Sequence, residues 1–119
     1  IHIYKTGFLF RACIQCGAVL SQATPAQFNS LSRYGAYIGL AFQIVDDILD
    51  ITSENEELGK DVGSDLEKGK ATYPALFGLE ESKKKAELLV DEAVASLDDF
   101  DERAEPLRGI ARFFVERTF

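Results

Sequence analysis

The stretch Phe42-Gln43-Ile44-Val45-Asp46-Asp47-Ile48-Leu49-Asp50 decides how the rest of this chain is read. Asp46, Asp47 and Asp50 are the only acidic residues among positions 1–53, and the segment around them is apolar. At helical spacing Gln43, Asp46, Asp47 and Asp50 stand at i, i+3, i+4 and i+7 and form one stripe. A carboxylate is costly to take out of water without a partner, so such a stripe on an apolar helix needs a counter-charge. Mg²⁺ is the natural candidate, because its oxygen shell combines one or two carboxylates with waters and phosphate oxygens. The stripe therefore implies a phosphorylated ligand bridged to the protein through metal. Lys5, Lys60 and Lys70 are the candidates for holding the remaining phosphate charge.

Traced backwards, the stripe continues through Gly39, Ala36, Gly35 and Ser32. Small side chains on that face fit two readings. They let a neighbouring helix approach closely, or they form the wall of an apolar slot opening onto the charged end, which would suit a hydrocarbon tail. The helix itself is expected from about Pro25 to Ile51, with Thr24 as N-cap and Pro25 at the first helical position. Its apolar residues lie nearly all round, which predicts burial on most sides. The aspartates then fall near its C-terminus, where the helix dipole disfavours negative charge. A local rule broken three times in five residues marks a site.

Residues 1–22 read as another helix, with Leu9, Ala12, Cys13, Cys16 and Leu20 recurring at three- and four-residue spacing. Cys13-x-x-Cys16 is short of ligands for a structural zinc, because His2 is the one further soft donor. A redox pair should open a helix after a strand, whereas these cysteines fall mid-helix. They are expected to serve as small buried apolar residues.

Residues 53–71 form a glycine-punctuated loop, long enough to suggest a function. Gly63…Gly69-Lys70-Ala71 is not a phosphate-binding P-loop: five residues separate the glycines, no Ser or Thr follows the lysine, and no strand precedes it. Lys68 reads as surface. Thr72 is expected to cap a short helix with Pro74 in its first turn, ending near Phe77. Residues 79–99 form an amphipathic helix with Leu88, Leu89, Ala93, Ala95 and Leu97 apolar. Lys83, Lys84 and Lys85 are solvated, and Asp98, Asp99 and Asp101 mark a helix end rather than a metal site. Pro106 opens the last helix, with Leu107, Ile110, Ala111, Phe114 and Val115 directed inward. No convincing β-alternation occurs, so the chain is all-α, and its 119 residues suit one domain.

The net charge of −7 sits entirely on residues 54–119, and no basic patch suits a nucleic acid. Neither a signal-peptide pattern nor an apolar run of membrane-spanning length occurs. A cytoplasmic protein without an integral membrane segment is expected. The chain contains no methionine and Ile1 enters a helix already running, so a missing N-terminal part is expected.

Phe42-Gln43-x-x-Asp46-Asp47-x-x-Asp50, then Gly59-Lys60, Gly63-Ser64-Asp65 and Gly69-Lys70-Ala71-Thr72-Tyr73-Pro74, resembles the second aspartate-rich region of trans-isoprenyl diphosphate synthases. His2-x-x-Lys5-Thr6-Gly7 resembles the Lys-Thr element that precedes it in that family. The order and spacing agree over residues 2–76, and the sequence is most similar to bacterial enzymes making farnesyl or geranylgeranyl diphosphate. The resemblance implies the C-terminal helices of an isoprenoid synthase bundle. It implies Mg²⁺ on Asp46, Asp47 and Asp50, carrying an allylic diphosphate that Lys5 and Lys60 contact. Thr6 and Gln43 would lie near the allylic carbon, with Lys70 at the mouth of the site. The implied reaction joins isopentenyl diphosphate head-to-tail to the allylic substrate, usually in a homodimer. The family's first aspartate-rich motif and its isopentenyl diphosphate site lie upstream and are absent here. Residues 1–119 alone are therefore expected to be inactive. Another class I terpenoid synthase and a non-catalytic subunit of a heteromeric prenyl synthase are the alternatives.

Overall fold

The computed structural model of the chain describes residues 2–56, 72–117 and 119, with side chains described from Thr6 to Ser53 and from Thr72 onward, Thr118 excepted. Five α-helices occur in this order: α1 (His2–Leu20), α2 (Pro25–Glu56), α3 (Tyr73–Phe77), α4 (Leu79–Ala95) and α5 (Glu105–Glu116). A 3₁₀ turn, Glu102–Ala104, precedes α5. No strand occurs among the described residues, in agreement with the all-α expectation.

Local chemistry sets the boundaries. α1 ends in a Schellman turn: the Ala23 amide donates to the Ala18 carbonyl at 3.0 Å and the Gln22 amide to Val19 at 3.1 Å. Gln22 takes φ 59° there, in the left-handed region where glycine is usual. Two residues later a reciprocal capping box starts α2. The Gln27 amide donates to Thr24 Oγ1 at 3.1 Å, and the Thr24 amide donates to Gln27 Oε1 at 2.9 Å. The expected cap and Pro25 start are therefore observed, while α2 runs on to Glu56, five residues past the expected end. Asp50 is six residues short of that end, and dipole effects fade within the last turn, so the dipole is not what makes the aspartates unusual. Thr72 caps α3 by accepting from the Ala75 amide at 3.2 Å. Gly78, at φ 87°, makes the sharp turn into α4, a conformation that strains any residue carrying a Cβ.

The core is built around α2. Tyr34, Ile38, Ala41, Val45 and Ile48 of α2 are buried, and Ala86, Leu89, Val90 and Ala93 of α4 pack with them. Leu97, just past α4, and Ala111 of α5 close the cluster. α4 meets α2 through small groups: Ala86, Ala93 and Ser82 are fully buried, and Ser82 Oγ donates to the Gly78 carbonyl at 2.7 Å. α1 packs on α2 beside this core. Phe10, Phe42 and Phe114 then tie α1, α2 and α5 together, with ring centroids 5.1–6.1 Å apart.

One hydrogen bond joins α2 to α5 across the core: Tyr34 Oη donates to the Leu107 carbonyl at 2.7 Å. Tyr34→Phe is expected to destabilise the fold by about 1 kcal/mol, measured by urea unfolding. Burial also pushes the Tyr34 phenol up to about 12. The unfolded tyrosine ionises first, near its ordinary value, so this contribution is intact below pH ~10 and declines as pH rises toward 12. The Phe variant should lose that part of the alkaline decline.

Three expectations are corrected. Cys13 and Cys16 are exposed free thiols, not buried ones. They share the outer face of α1 with Leu9 and Leu20, whereas Gly7, Phe10, Arg11 and Ile14 face α2. Helical periodicity identified a stripe on α1, but a close helix crossing uses the small residues of a different face. Leu88 and Ile110 are each about half exposed, because α4 and α5 bury narrower stripes than their apolar residues cover.

Candidate active site

Gln43, Asp46, Asp47 and Asp50 lie on α2, which its capping box and long buried face hold as one continuous helix. Gln43 is buried, Asp46 and Asp47 are half-buried, and Asp50 is exposed, so the stripe runs from the interior to the surface. The Gln43 side-chain amide donates to Asp47 Oδ1 at 3.4 Å, a long contact one helical turn away that still directs the amide toward the carboxylate.

The face behind this stripe is settled by α1. Gln15 Nε2 donates to Ser32 Oγ at 3.1 Å. A Cβ on Gly35 would meet Arg11 Cα at 3.1 Å, and one on Gly39 would meet Gly7 Cα at 3.0 Å and the Gly7 carbonyl oxygen at 3.4 Å. Ser32, Gly35 and Gly39 thus receive a closely packed neighbouring helix, and the open-slot reading of this face is set aside. The contacts pair 15 with 32, 11 with 35 and 7 with 39, which makes the two helices antiparallel. Continuing that pairing by one turn sets Gln43 beside the first turns of α1, which carry Lys5 and the half-buried Thr6. The Lys-Thr element and the aspartate stripe therefore share one end of the helix pair. The motif's Gly7 was legible as part of Lys5-Thr6-Gly7; its partner Gly39 was legible as part of a small-xxx-small pair, but not as the point where the two motifs meet.

Lys60 and Lys70 lie outside the described residues, as does most of the glycine-rich loop. Arg108, Asp101 and Arg103 form a separate polar cluster at the α4–α5 turn. There Arg103 donates to the Asp101 carboxylate at 2.9–3.1 Å and holds it below the usual carboxylate range.

The donor set suits Mg²⁺ in kind, since all three aspartates offer hard oxygens. Among the described residues, no three His, Cys, Asp or Glu side chains converge into a ready metal cage.

The polyprenyl synthetase family model matches residues 1–106. The chain belongs to that family. A geranylgeranyl diphosphate synthase of Cyanophora paradoxa is 53% identical over 99% of this chain and 39% of the relative. A dimethylallyltranstransferase of Fischerella ambigua is 46% identical over 99% of the chain and 34% of its own length. The apo crystal structure of an FPP/GFPP synthase from Zymomonas mobilis superposes with a TM-score of 0.79 at 39% identity, covering 93% of this chain and 35% of that one. The chain thus spans between a third and two-fifths of these polyprenyl synthetases. Its fold is that of the isoprenoid synthase bundle. No described helix is long and apolar enough to cross a membrane.

Proposed function

We propose that residues 1–119 are the C-terminal portion of a prenyl diphosphate synthase domain, one that joins isopentenyl diphosphate head-to-tail to an allylic diphosphate. The product class is farnesyl or geranylgeranyl diphosphate. The observation that carries this reading is the antiparallel α1–α2 crossing at Gly7 and Gly39, which sets the start of α1, with Lys5 and Thr6, at the same end of the helix pair as Gln43. Family membership and the names of the relatives support it.

In this reading Asp46 and Asp47 would hold Mg²⁺ with the allylic diphosphate, and Asp50 would complete the acidic set from the exposed end of the stripe. The metal, when bound, supplies positive charge that makes diphosphate a better leaving group. The residues of the chain do the positioning. Gln43 is buried and its amide nitrogen donates to Asp47, which would leave the carboxamide oxygen to stabilise developing positive charge on the allylic carbon. Thr6 offers a hydroxyl dipole from the other helix. Lys5 and Lys60 neutralise phosphate oxygens, and Lys70 guards the mouth. Carbon–oxygen cleavage releases diphosphate, the double bond of isopentenyl diphosphate attacks the cation, and loss of a proton restores an alkene. The outer face of α1, with Phe8, Leu9, Val19 and Leu20 exposed, is the side that the remainder of the domain covers. A cytoplasmic homodimer is part of the proposal.

The test uses the complete synthase domain with geranyl diphosphate and labelled isopentenyl diphosphate. A longer prenyl product is expected with Mg²⁺, and EDTA should abolish it, with recovery on adding Mg²⁺ back. Product formed without isopentenyl diphosphate would instead indicate a cyclase-type terpenoid synthase. Purified residues 1–119 should give no turnover, and turnover by that piece would overturn the assignment of an incomplete site.

A further inference from the structure

We propose that Gly39 is a positioning residue for the allylic diphosphate: its contact with Gly7 sets the spacing between the Lys5-Thr6 turn of α1 and the Gln43-Asp47 face of α2. This inference rests on the proposed synthase function. Two observations on different helices carry it. The ideal Cβ of Gly39 falls 3.0 Å from Gly7 Cα and 3.4 Å from its carbonyl oxygen, so the helices touch backbone to backbone with no side chain to absorb a change. Gly7 directly follows Thr6, and Gly39 is one turn before Gln43, so this crossing adjoins both halves of the candidate site. Phe10 holds the crossing from the side. Its Cβ is 3.5 Å from the ideal Cβ of Gly39, and its ring packs at 5.1 Å on Phe42, the residue before Gln43.

A methyl group at position 39 must therefore push α1 outward by a few tenths of an ångström. The push acts at Gly7, the residue after Thr6, one turn of α2 before Gln43. Gly35 supplies the internal control. Its Cβ would meet Arg11 Cα at 3.1 Å, nearly the same obstruction, but a turn further from Gln43 and Thr6. Both substitutions disturb the same helix pair to a similar degree, and only one does so beside the site.

The experiment compares Gly39→Ala and Gly35→Ala in the complete synthase, measuring Tm together with kcat and the two KM values. Both variants should lower Tm by similar amounts. Gly39→Ala should also raise KM for the allylic diphosphate about tenfold, leaving KM for isopentenyl diphosphate within about twofold, as expected when one substrate's contacts are misplaced. Gly35→Ala should leave both KM values unchanged. Simple loss of folded enzyme lowers apparent kcat and moves neither KM, so the two explanations part. Equal kinetic effects of the two variants, or an unchanged allylic KM in Gly39→Ala, would overturn the proposal. If Gly39→Ala does not fold, Phe10→Leu is the milder probe, because it removes the ring that packs at 5.1 Å on Phe42 beside the crossing, and Ile14→Val, next to the Gly35 contact, is its control. Phe10→Leu should then raise the allylic KM and Ile14→Val should not; the same value for both would sink the idea. Asp46→Ala keeps the underlying assignment separable: retained turnover there refutes the synthase function itself, whatever Gly39 does.

Discussion

Asp46→Ala in the complete synthase is expected to reduce turnover about a hundredfold or more, as removal of a group stabilising developing charge does in other enzymes. Its effect on stability should stay within about 1 kcal/mol. The two expectations separate because Asp46 is half-buried on a face that contributes nothing to the hydrophobic cluster around Tyr34, Val45 and Ile48. Removing its carboxylate leaves helix and core intact, and takes away one of the two neighbouring carboxylates proposed to hold Mg²⁺. Raising Mg²⁺ should recover part of the lost rate, because the remaining proposed ligands would still bind the cation, more weakly. Asp50→Ala should cost less than Asp46→Ala, since Asp50 is the exposed end of the stripe. A rate unchanged in Asp46→Ala, assayed at saturating substrates and limiting Mg²⁺, would remove the basis for the metal site.

The opposite pattern is expected of Arg108. Its guanidinium donates to the carbonyls of Leu97 at 2.9 Å, Phe100 at 2.8 Å and Asp101 at 3.1 Å, and to Glu105 Oε2 at 3.3 Å. These bonds collect the carbonyls of the chain leaving α4 and lock the turn into α5. The side chain is only 14% exposed, so solvent replaces them poorly. Arg108→Met keeps much of the apolar stem and removes every donor. The loss should be about 2–4 kcal/mol in urea unfolding, given that each bond carries a charged donor but the carbonyls regain some water. Activity per folded molecule should be unchanged, since this turn packs near Tyr34, more than two turns of α2 before Gln43. A loss under about 0.5 kcal/mol would mean that the turn is held by packing alone.

The part of the site most legible in the sequence was the part that breaks a rule. Three carboxylates on an apolar helix conflict with the burial expected of it, and that conflict alone singled out the candidate site. Thr24-Pro25 and Thr72-x-Pro74 marked helix starts because caps are decided by a few adjacent residues. What could not be read was which side of a helix meets which neighbour. Leu9, Cys13, Cys16 and Leu20 form a good apolar stripe on α1, yet the face that packs on α2 is Gly7, Phe10, Arg11 and Ile14. Periodicity reports that a face exists; glycine contacts across helices depend on distances that only the fold supplies. The same limit applied to Gly35 and Gly39, which fitted a slot and a close crossing equally well until Gly7 and Arg11 were seen against them. The tie between Tyr34 and Leu107 spans 73 positions and leaves no local signal at all.

The outer face of α1 has a consequence for handling this piece of chain. His2–Leu20 carries only Lys5 and Arg11 as charged residues besides the titratable His2, while the net charge of −7 is concentrated after residue 53. Phe8, Leu9, Val19 and Leu20 are each 64–84% exposed. The described residues thus combine an oily flank on α1 with an ionised flank on α4, where Glu80, Glu81, Glu87, Asp91 and Glu92 are exposed. Mutual repulsion protects only the ionised flank, and salt screens that protection. Added salt is therefore expected to drive isolated molecules together through their oily sides into micelle-like clusters, detectable by light scattering and dispersed by mild detergent.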